Sequence, residues 1–382
     1  MPSLLDLPAE LLDCIVDLAG LGNRTQYLGL VHRAFLHRSR RLLFRDVQVS
    51  SFERLALLCA VVQGSEVVGR TIRELCIGMR NEPEESKPAN GAVLALFTRL
   101  SCLTALTVAG SSRLAKLALT PPKRATPTLP CLESLCVTSA LTGWSNPLHP
   151  SYLAGLERYP ELYWLEVDIE RPPPTLGRTL PTSAPRLTLG GLVLKGDFLE
   201  NPATPILLSS LPHLWCLTLS TYSSPSPATF GSLLDAVPNP RKMQGLHLQR
   251  SANEGQNISS SLARFVSLEA LILCTSTFTP ECLPVLQSFT NLEILRFHTF
   301  AGLSMPLCRQ LLTTYRPPSL EAVKLWNILE ILGDDAGPAE DGAAGWSWRR
   351  NGTVALLRLA KEVGVELHGL PDLRTIALEE GL

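Results

Sequence analysis

The sequence predicts an α/β fold built as an irregular solenoid, with a parallel sheet on a concave face, helices outside, and a separate helical segment ahead of the array. Three observations predict it. A six-residue pattern, L-x-x-L-x-[LIVF], returns about every 24 to 31 residues between residues 72 and 325. Its fourth and sixth positions alternate with polar or small residues, which is the period of a strand with one buried face. The stretches between copies carry apolar residues at intervals of three or four, the period of a helix.

The copies run Ile72-Leu75-Ile77, Leu103-Leu106-Val108, Leu132-Leu135-Val137, Leu162-Leu165-Val167 and Leu189-Leu192-Leu194. They continue as Leu214-Leu217-Leu219, Met243-Leu246-Leu248, Leu268-Leu271-Leu273, Leu292-Leu295-Phe297 and Leu320-Val323-Leu325. A unit of this length holds one short strand and one helix, and neither buries its apolar side alone. Stacking the units joins the strands and buries a continuous leucine core. Helices are expected over 92–98, 151–158, 230–237, 259–266 and 306–314, each closed by Pro, Asn or Ser.

In period and pattern the array resembles the leucine-rich repeats, whose units run roughly 20–29 residues. That resemblance implies a surface for binding other proteins. Regular repeats of that family place Asn or Cys three residues beyond the sixth position, where it bonds the turn. Here Ser111, Ala140, Ser276, Phe300 and Ile328 stand there. Without an asparagine ladder the solenoid is expected to be irregular.

The first fifty residues read as a separate object. Leu7, Leu11, Ile15 and Leu18 form an apolar stripe along one helix. Pro8 suits its first turn and Glu10 complements its dipole. A Gly-Leu-Gly-Asn break over 20–23 ends it, and a second apolar run over 27–31 leads into Phe35, Leu36, Leu42, Leu43 and Phe44. The order Leu7-Pro8-Ala9-Glu10-Leu11-Leu12, Ile15, then Leu28–Phe35 and Arg41–Val47 resembles an F-box. The whole layout is similar to the fungal F-box proteins that carry irregular leucine-rich repeats. Two positions depart from the family pattern: His32, where Cys or Ser is usual, and Phe35, where Trp is common.

The resemblance implies a bipartite adaptor. A three-helix F-box would dock into the Skp-type adaptor of a cullin–RING ubiquitin ligase, and the repeats would choose a protein substrate. Carried over by position, Leu7, Pro8, Leu11, Ile15, Leu30, Val31 and Phe35 would lie at or beneath the adaptor interface. Fewer than about 50 residues struggle to bury enough apolar area alone, so part of this surface is expected to face a partner or the first repeat. The alternative is a non-catalytic scaffold whose F-box-like helices serve only as an N-terminal cap.

Four segments follow: a helical domain over 1–50, the solenoid over 51–332, a flexible acidic insertion over 333–348 and a C-terminal cap over 349–382. Within the cap a helix is expected over 354–363 and a strand over 365–367. A proline-rich stretch over 171–185 interrupts the array as a solvent loop.

Composition excludes several classes. With 34 Lys and Arg against 35 Asp and Glu, the net charge is -1, so no global attraction to nucleic acid or anionic membrane is expected. The one basic patch gathers Arg33, Arg38, Arg40, Arg41 and Arg45. No stretch reaches the ~18 unbroken apolar residues that span a bilayer, and the N terminus lacks a signal-peptide pattern. The 10 cysteines are scattered singly, which favours neither zinc nor disulfides and suits a reducing compartment, cytoplasmic or nuclear.

No catalytic motif is present, neither a G-x-S-x-G elbow, a phosphate-binding loop nor an H-E-x-x-H pair. No catalytic residue, cofactor or metal is therefore expected. Strand alternation instead sets Trp164, Glu166 and Asp168 on the open face, then His247 and Gln249, Arg296 and His298, and Lys324 and Trp326. The substrate site expected from these is His247, Arg296, His298, Lys324 and Trp326, suited to an acidic or phosphorylated segment.

Overall fold

The computed structural model describes residues 43–79, 90–119, 129–138, 155–169, 187–196, 203–221, 230–250, 258–274, 280–298, 305–326, 330–332, 347–368, 371–379 and 381. The candidate adaptor residues Leu7, Pro8, Leu11, Ile15, Leu30, Val31 and Phe35, the stretch 171–185 and residues 333–346 lie outside them. The chain divides into two compact units, Met1–Pro147 with Ser151–Glu166, and Leu148–Pro150 with Val167–Leu382.

Among the described residues, the first strand of the first unit is β1 (Asp46–Val49), earlier than the first copy of the pattern and inside the stretch assigned to the helical domain. It pairs in parallel with β2 (Glu74–Gly78), then β3 (Ala105–Ala109) and β4 (Ser134–Thr138) follow in order. Fourth positions stand opposite one another as Val47, Leu75, Leu106 and Leu135, and sixth positions as Val49, Ile77, Val108 and Val137. Phe44-x-x-Val47-x-Val49 is thus a further copy of the repeat with an aromatic lead.

Helices join these strands. Ser51 caps Phe52–Gly64 by accepting from the Arg54 N–H at 3.2 Å, and Ser65 caps Glu66–Thr71 in the same way through the Val68 N–H. Asn90–Arg99 and Ser112–Leu119 follow β2 and β3. The Tyr159 hydroxyl, pushed up from its ordinary pKa by burial, donates to the Ala118 carbonyl.

The second unit repeats the scheme over β6 (Gly191–Gly196), β7 (Cys216–Thr221), β8 (Gly245–Arg250), β9 (Ala270–Cys274), β10 (Ile294–His298), β11 (Ala322–Trp326) and β14 (Glu366–His368). Every pair is parallel, and Leu192, Leu217, Leu246, Leu271, Leu295, Val323 and Leu367 hold one row. Each first-position residue is buried too, from Ile72 to Leu320. The parallel sheet fits the repeats, and its core is the leucine ladder.

The helices between these strands are short: Ala203–Ser209, Phe230–Asp235, Ser259–Leu262, Leu283–Gln287 and Met305–Thr313. The 259–262 helix stops short of the expected 266 because a turn follows, in which the Leu268 N–H donates to the Phe265 carbonyl. The same three-residue turn precedes other strands, at Leu100 and Leu103, Leu129 and Leu132, Tyr159 and Leu162, and Leu211 and Leu214. It drives the residue three places ahead of the first leucine into the core, where Leu100, Leu129, Leu211 and Phe265 are 0 % exposed.

One main-chain device joins repeat to repeat. Ahead of several strands, a carbonyl accepts two consecutive N–H groups from the next repeat. In the first unit Arg45 accepts from Arg73 and Glu74, Arg73 from Thr104 and Ala105, and Thr104 from Glu133 and Ser134, all between 2.8 and 3.1 Å. In the second, Gln244 accepts from Glu269 and Ala270, Glu269 from Glu293 and Ile294, and Glu293 from Glu321 and Ala322. These bonds satisfy the backbone at the joint without an asparagine ladder.

Side chains add to the joints in places. The Arg264 guanidinium donates to the Leu234, Asp235 and Val237 carbonyls, closing the C-terminal end of the preceding helix. Ser319 bonds the Thr290 carbonyl at 2.6 Å and Asn239 the Pro212 carbonyl at 2.8 Å.

At the C-terminal end, helix Arg350–Glu362 precedes β14, and helix Pro371–Glu379 follows it. β12 (Glu330–Leu332) pairs in parallel with β13 (Ser347–Arg349), so the last residues of the expected insertion belong to a small separate sheet.

Candidate functional site

Because leucines take one side of each strand, the residues between and beside them take the other. In the first unit that face carries exposed Asp46, Gln48 and Glu74 on β1 and β2 and is bland across β3 and β4. Cys76, Thr107 and Cys136 stand in one row, flanked by Ala105, Ala109, Ser134 and Thr138. On β5 (Trp164–Ile169), Trp164, Glu166 and Asp168 are half-buried, as their alternation predicts.

The second unit carries the chemistry. Register sets Thr218, His247, Ile272, Arg296, Lys324 and His368 in a single row across adjacent strands. Neighbouring strands lie about 4.8 Å apart, which sets the spacing of that row. Arg296 and Lys324 stand directly opposite one another, and both are half-buried. Toward β6 and β7 the face closes, with Val193 at 6 % and Ser220 at 4 % exposure.

Of the expected substrate residues, His247, Arg296 and Lys324 share this row. His298 and Trp326 stand opposite each other in the next one, two residues along, and their side chains lie outside the described residues. Sequence reasoning missed two members. Ile272 brings an apolar step between His247 and Arg296. His368 arrives from the final strand and closes the row, its Nε2 2.7 Å from the Glu366 carboxylate. Both of those side chains are exposed, so the pair contributes little to stability.

A second row was legible but unread. Glu269, Glu293 and Glu321 each follow the first residue of a repeat, and the joint described above stacks them one per repeat. All are exposed, and Gln244 Nε2 donates to the Glu269 carboxylate at 2.9 Å. Like charges facing one another on adjacent strands are mutually destabilising. Glu293→Gln should therefore raise the thermal midpoint by about 1–2 °C at low salt. Calorimetry at low salt and at 1 M salt checks this, because screening should erase the gain. A gain that survives high salt would exclude charge repulsion as its source.

The thiols do not point to chemistry. Cys59, Cys282 and Cys308 are buried, and Cys76, Cys102, Cys131, Cys136 and Cys216 are half-buried, all of them as thiols. Burial pushes the Cys308 thiol up to about 12 and raises those of Cys59 and Cys216. A thiol held protonated is a poor nucleophile and a poor metal ligand. Among the described residues no cluster of His, Cys, Asp or Glu could hold a metal ion. No helix among them is long and apolar enough to cross a membrane.

No family model and no curated protein matches the chain. Among solved structures it is similar to the crystal structure of the APL1 leucine-rich repeat domain, at 13% identity over 72% of this chain and 75% of that one, with a TM-score of 0.22. A likeness that weak carries no argument. The repeat architecture rests on the register of the leucines.

Proposed function

We propose that the chain is the substrate-recruiting F-box subunit of an SCF-type ubiquitin ligase. In this reading the N-terminal helices bind the Skp-type adaptor of a cullin complex, and the sheet face of the second unit binds a protein substrate. The reading is supported by the motif residues between Leu7 and Val47 together with the repeats that follow them. The charged row at Arg296 and Lys324 carries the substrate half of it. The subunit performs no chemistry of its own. It acts by raising the concentration of its substrate beside a conjugating enzyme held elsewhere in the complex. Such work belongs in the cytoplasm or nucleus.

One observation favours the alternative scaffold. The tail of the F-box-like motif runs directly into β1, and the Arg45 carbonyl already accepts from Arg73 and Glu74. A segment that supplies the first strand of an array can also serve as its cap.

A pull-down of the full chain with the Skp-type adaptor separates the two, run beside a Leu11→Asp, Ile15→Asp variant. Two carboxylates placed in an apolar helical interface should abolish capture and leave the melting of the repeats unchanged. Absence of capture by the unaltered chain would sink the ligase reading. A variant whose repeats melt early would instead identify a cap.

A further inference from the structure

Taken one at a time the thiols offer no chemistry, but two of them are set apart by their place in the fold. The residue just ahead of a first leucine lies at the surface, and most repeats put a polar side chain there. Glu161, His213, Lys242, Asn291 and Ser319 hold that place and are all exposed. Two consecutive repeats of the first unit carry cysteine instead, Cys102 and Cys131, both half-buried. A place that takes glutamate, lysine or serine elsewhere has no need of a small core hydrophobe, so packing leaves this pair unexplained.

The fold stacks the two. β3 and β4 pair Ala105 with Ser134, and the same three-residue turn leads into each strand. In it the Leu103 N–H donates to the Leu100 carbonyl at 3.1 Å, and the Leu132 N–H to the Leu129 carbonyl at 3.2 Å. The Thr104 carbonyl locks one turn to the next by accepting from Glu133 and Ser134 at 2.8 and 2.9 Å. Arg73 Nη1 holds the first turn from the other side, donating to the Cys102 carbonyl at 3.1 Å. Cys102 and Cys131 are therefore equivalent residues of adjoining turns, with main chains about 4.8 Å apart. Disulfides span Cα separations of about 4.4–6.8 Å, so side-chain rotation is what divides the two sulfurs from a bond. The contact of Cys102 Sγ with Ser101 Oγ, at 3.9 Å, is a weak hold on that rotation.

We propose that Cys102 and Cys131 form a reversible disulfide when the chain meets a peroxide. One thiolate attacks a peroxide oxygen, the O–O bond breaks, and the sulfur becomes a sulfenic acid as the first water leaves. The second thiolate attacks that sulfur, the S–O bond breaks, and the departing hydroxide takes the remaining thiol proton as a second water. Two thiols give up two electrons and one peroxide is reduced to two waters. A dithiol reductant reverses the step through a mixed disulfide. Transient bridges of this kind are the ones a reducing compartment permits. The bridge closes a loop of about 30 residues and ties the starts of β3 and β4 together. The inference is independent of what the N-terminal helices bind.

The test uses the full chain, reduced, desalted and treated in dilute solution with a small excess of hydrogen peroxide. Remaining thiols are alkylated, and the chain is cut without reduction after Lys and Arg and at Glu133, which separates Cys131 from Cys136. Mass spectrometry should find the Cys102–Cys131 linked peptide as the main disulfide, and dithiothreitol should remove it. The melting midpoint of the oxidised chain should stand about 5 °C above that of the reduced one. Cys102→Ser should lose both the linked peptide and this gain while melting as the reduced parent does. Serine already fills the same place at Ser267 and Ser319. Should that variant melt early, Cys131→Ser reads the same loss. Cys76→Ser, on the open face of the same sheet, should keep both the link and the gain.

Separate sulfenic acids at Cys102 and Cys131, trapped by dimedone with no linked peptide, would overturn the proposal. So would the absence of reaction at either thiol, or a linked peptide confined to covalent dimers on a non-reducing gel.

Discussion

Replacing Phe297 with alanine is expected to destabilise the second unit by about 3–5 kcal/mol, the larger of the two main effects anticipated for this protein. Phe297 fills the sixth position of β10, opposite Leu273 and Leu325 in register, and is 0 % exposed. The loss has two parts, the transfer energy of the removed ring and the cavity it leaves. A ladder cannot close that cavity, because the strands on either side are held by their own main-chain bonds. A domain is stable by only about 5–15 kcal/mol, so the variant should unfold at a much lower urea midpoint. The measurement is equilibrium unfolding followed by circular dichroism, with an unchanged slope taken as the sign of a native-like fold. A midpoint within error of the parent would mean that the leucine ladder is not the core.

Gly110→Ala is the second. Gly110 leaves β3 at φ 74, a left-handed conformation that an L side chain adopts at a cost of about 1–2 kcal/mol. A Cβ there would meet the Met79 carbonyl oxygen at 1.9 Å. Neither side can retreat cheaply, since the Met79 N–H donates to Ala109 at 2.9 Å and the Gly110 N–H to Thr138 at 3.1 Å. The turns that leave β2, β3 and β4 are thus stacked through one glycine. Strain and displacement together should cost at least about 2 kcal/mol and lower the melting midpoint by about 5 °C or more. Unaltered melting would show that the turn relaxes freely, and the close approach would then have no energetic weight.

Much of the architecture is legible in the chain because strand alternation is a strong local signal. Leu217 and Leu246 announce their strands through the Thr218 and His247 that follow them, and the structure sets them in register. Helix 230–237 is found at Phe230–Asp235 and helix 306–314 at Met305–Thr313, each displaced by a residue or two at its ends. β1 hides because its copy begins with Phe44 and overlaps the F-box-like motif. The buried residues Leu100, Leu129 and Phe265, three places ahead of a first leucine, hide for another reason: the intervening turn obeys neither helical nor strand periodicity.

The candidate site divides in the same manner. Arg296 and Lys324 could be placed from alternation alone, since each sits between two core positions of its own strand. His368 could not. Its strand is separated from β11 by the 327–365 stretch, and only pairing in three dimensions brings Lys324 and His368 opposite each other. The glutamate row needed no structure, only attention to the residue after the first leucine, where Glu269, Glu293 and Glu321 recur.

The carbonyl that receives two N–H groups at these joints has a consequence for how such a chain can change over generations. A joint made by the main chain sets no condition on which side chains flank it, so the seam tolerates drift that an asparagine-dependent seam would not. Neighbouring repeats need only agree on where the peptide groups fall. Whole repeats can then be duplicated or lost with the remaining seams intact, and the length of the array is free to follow the size of what it must hold.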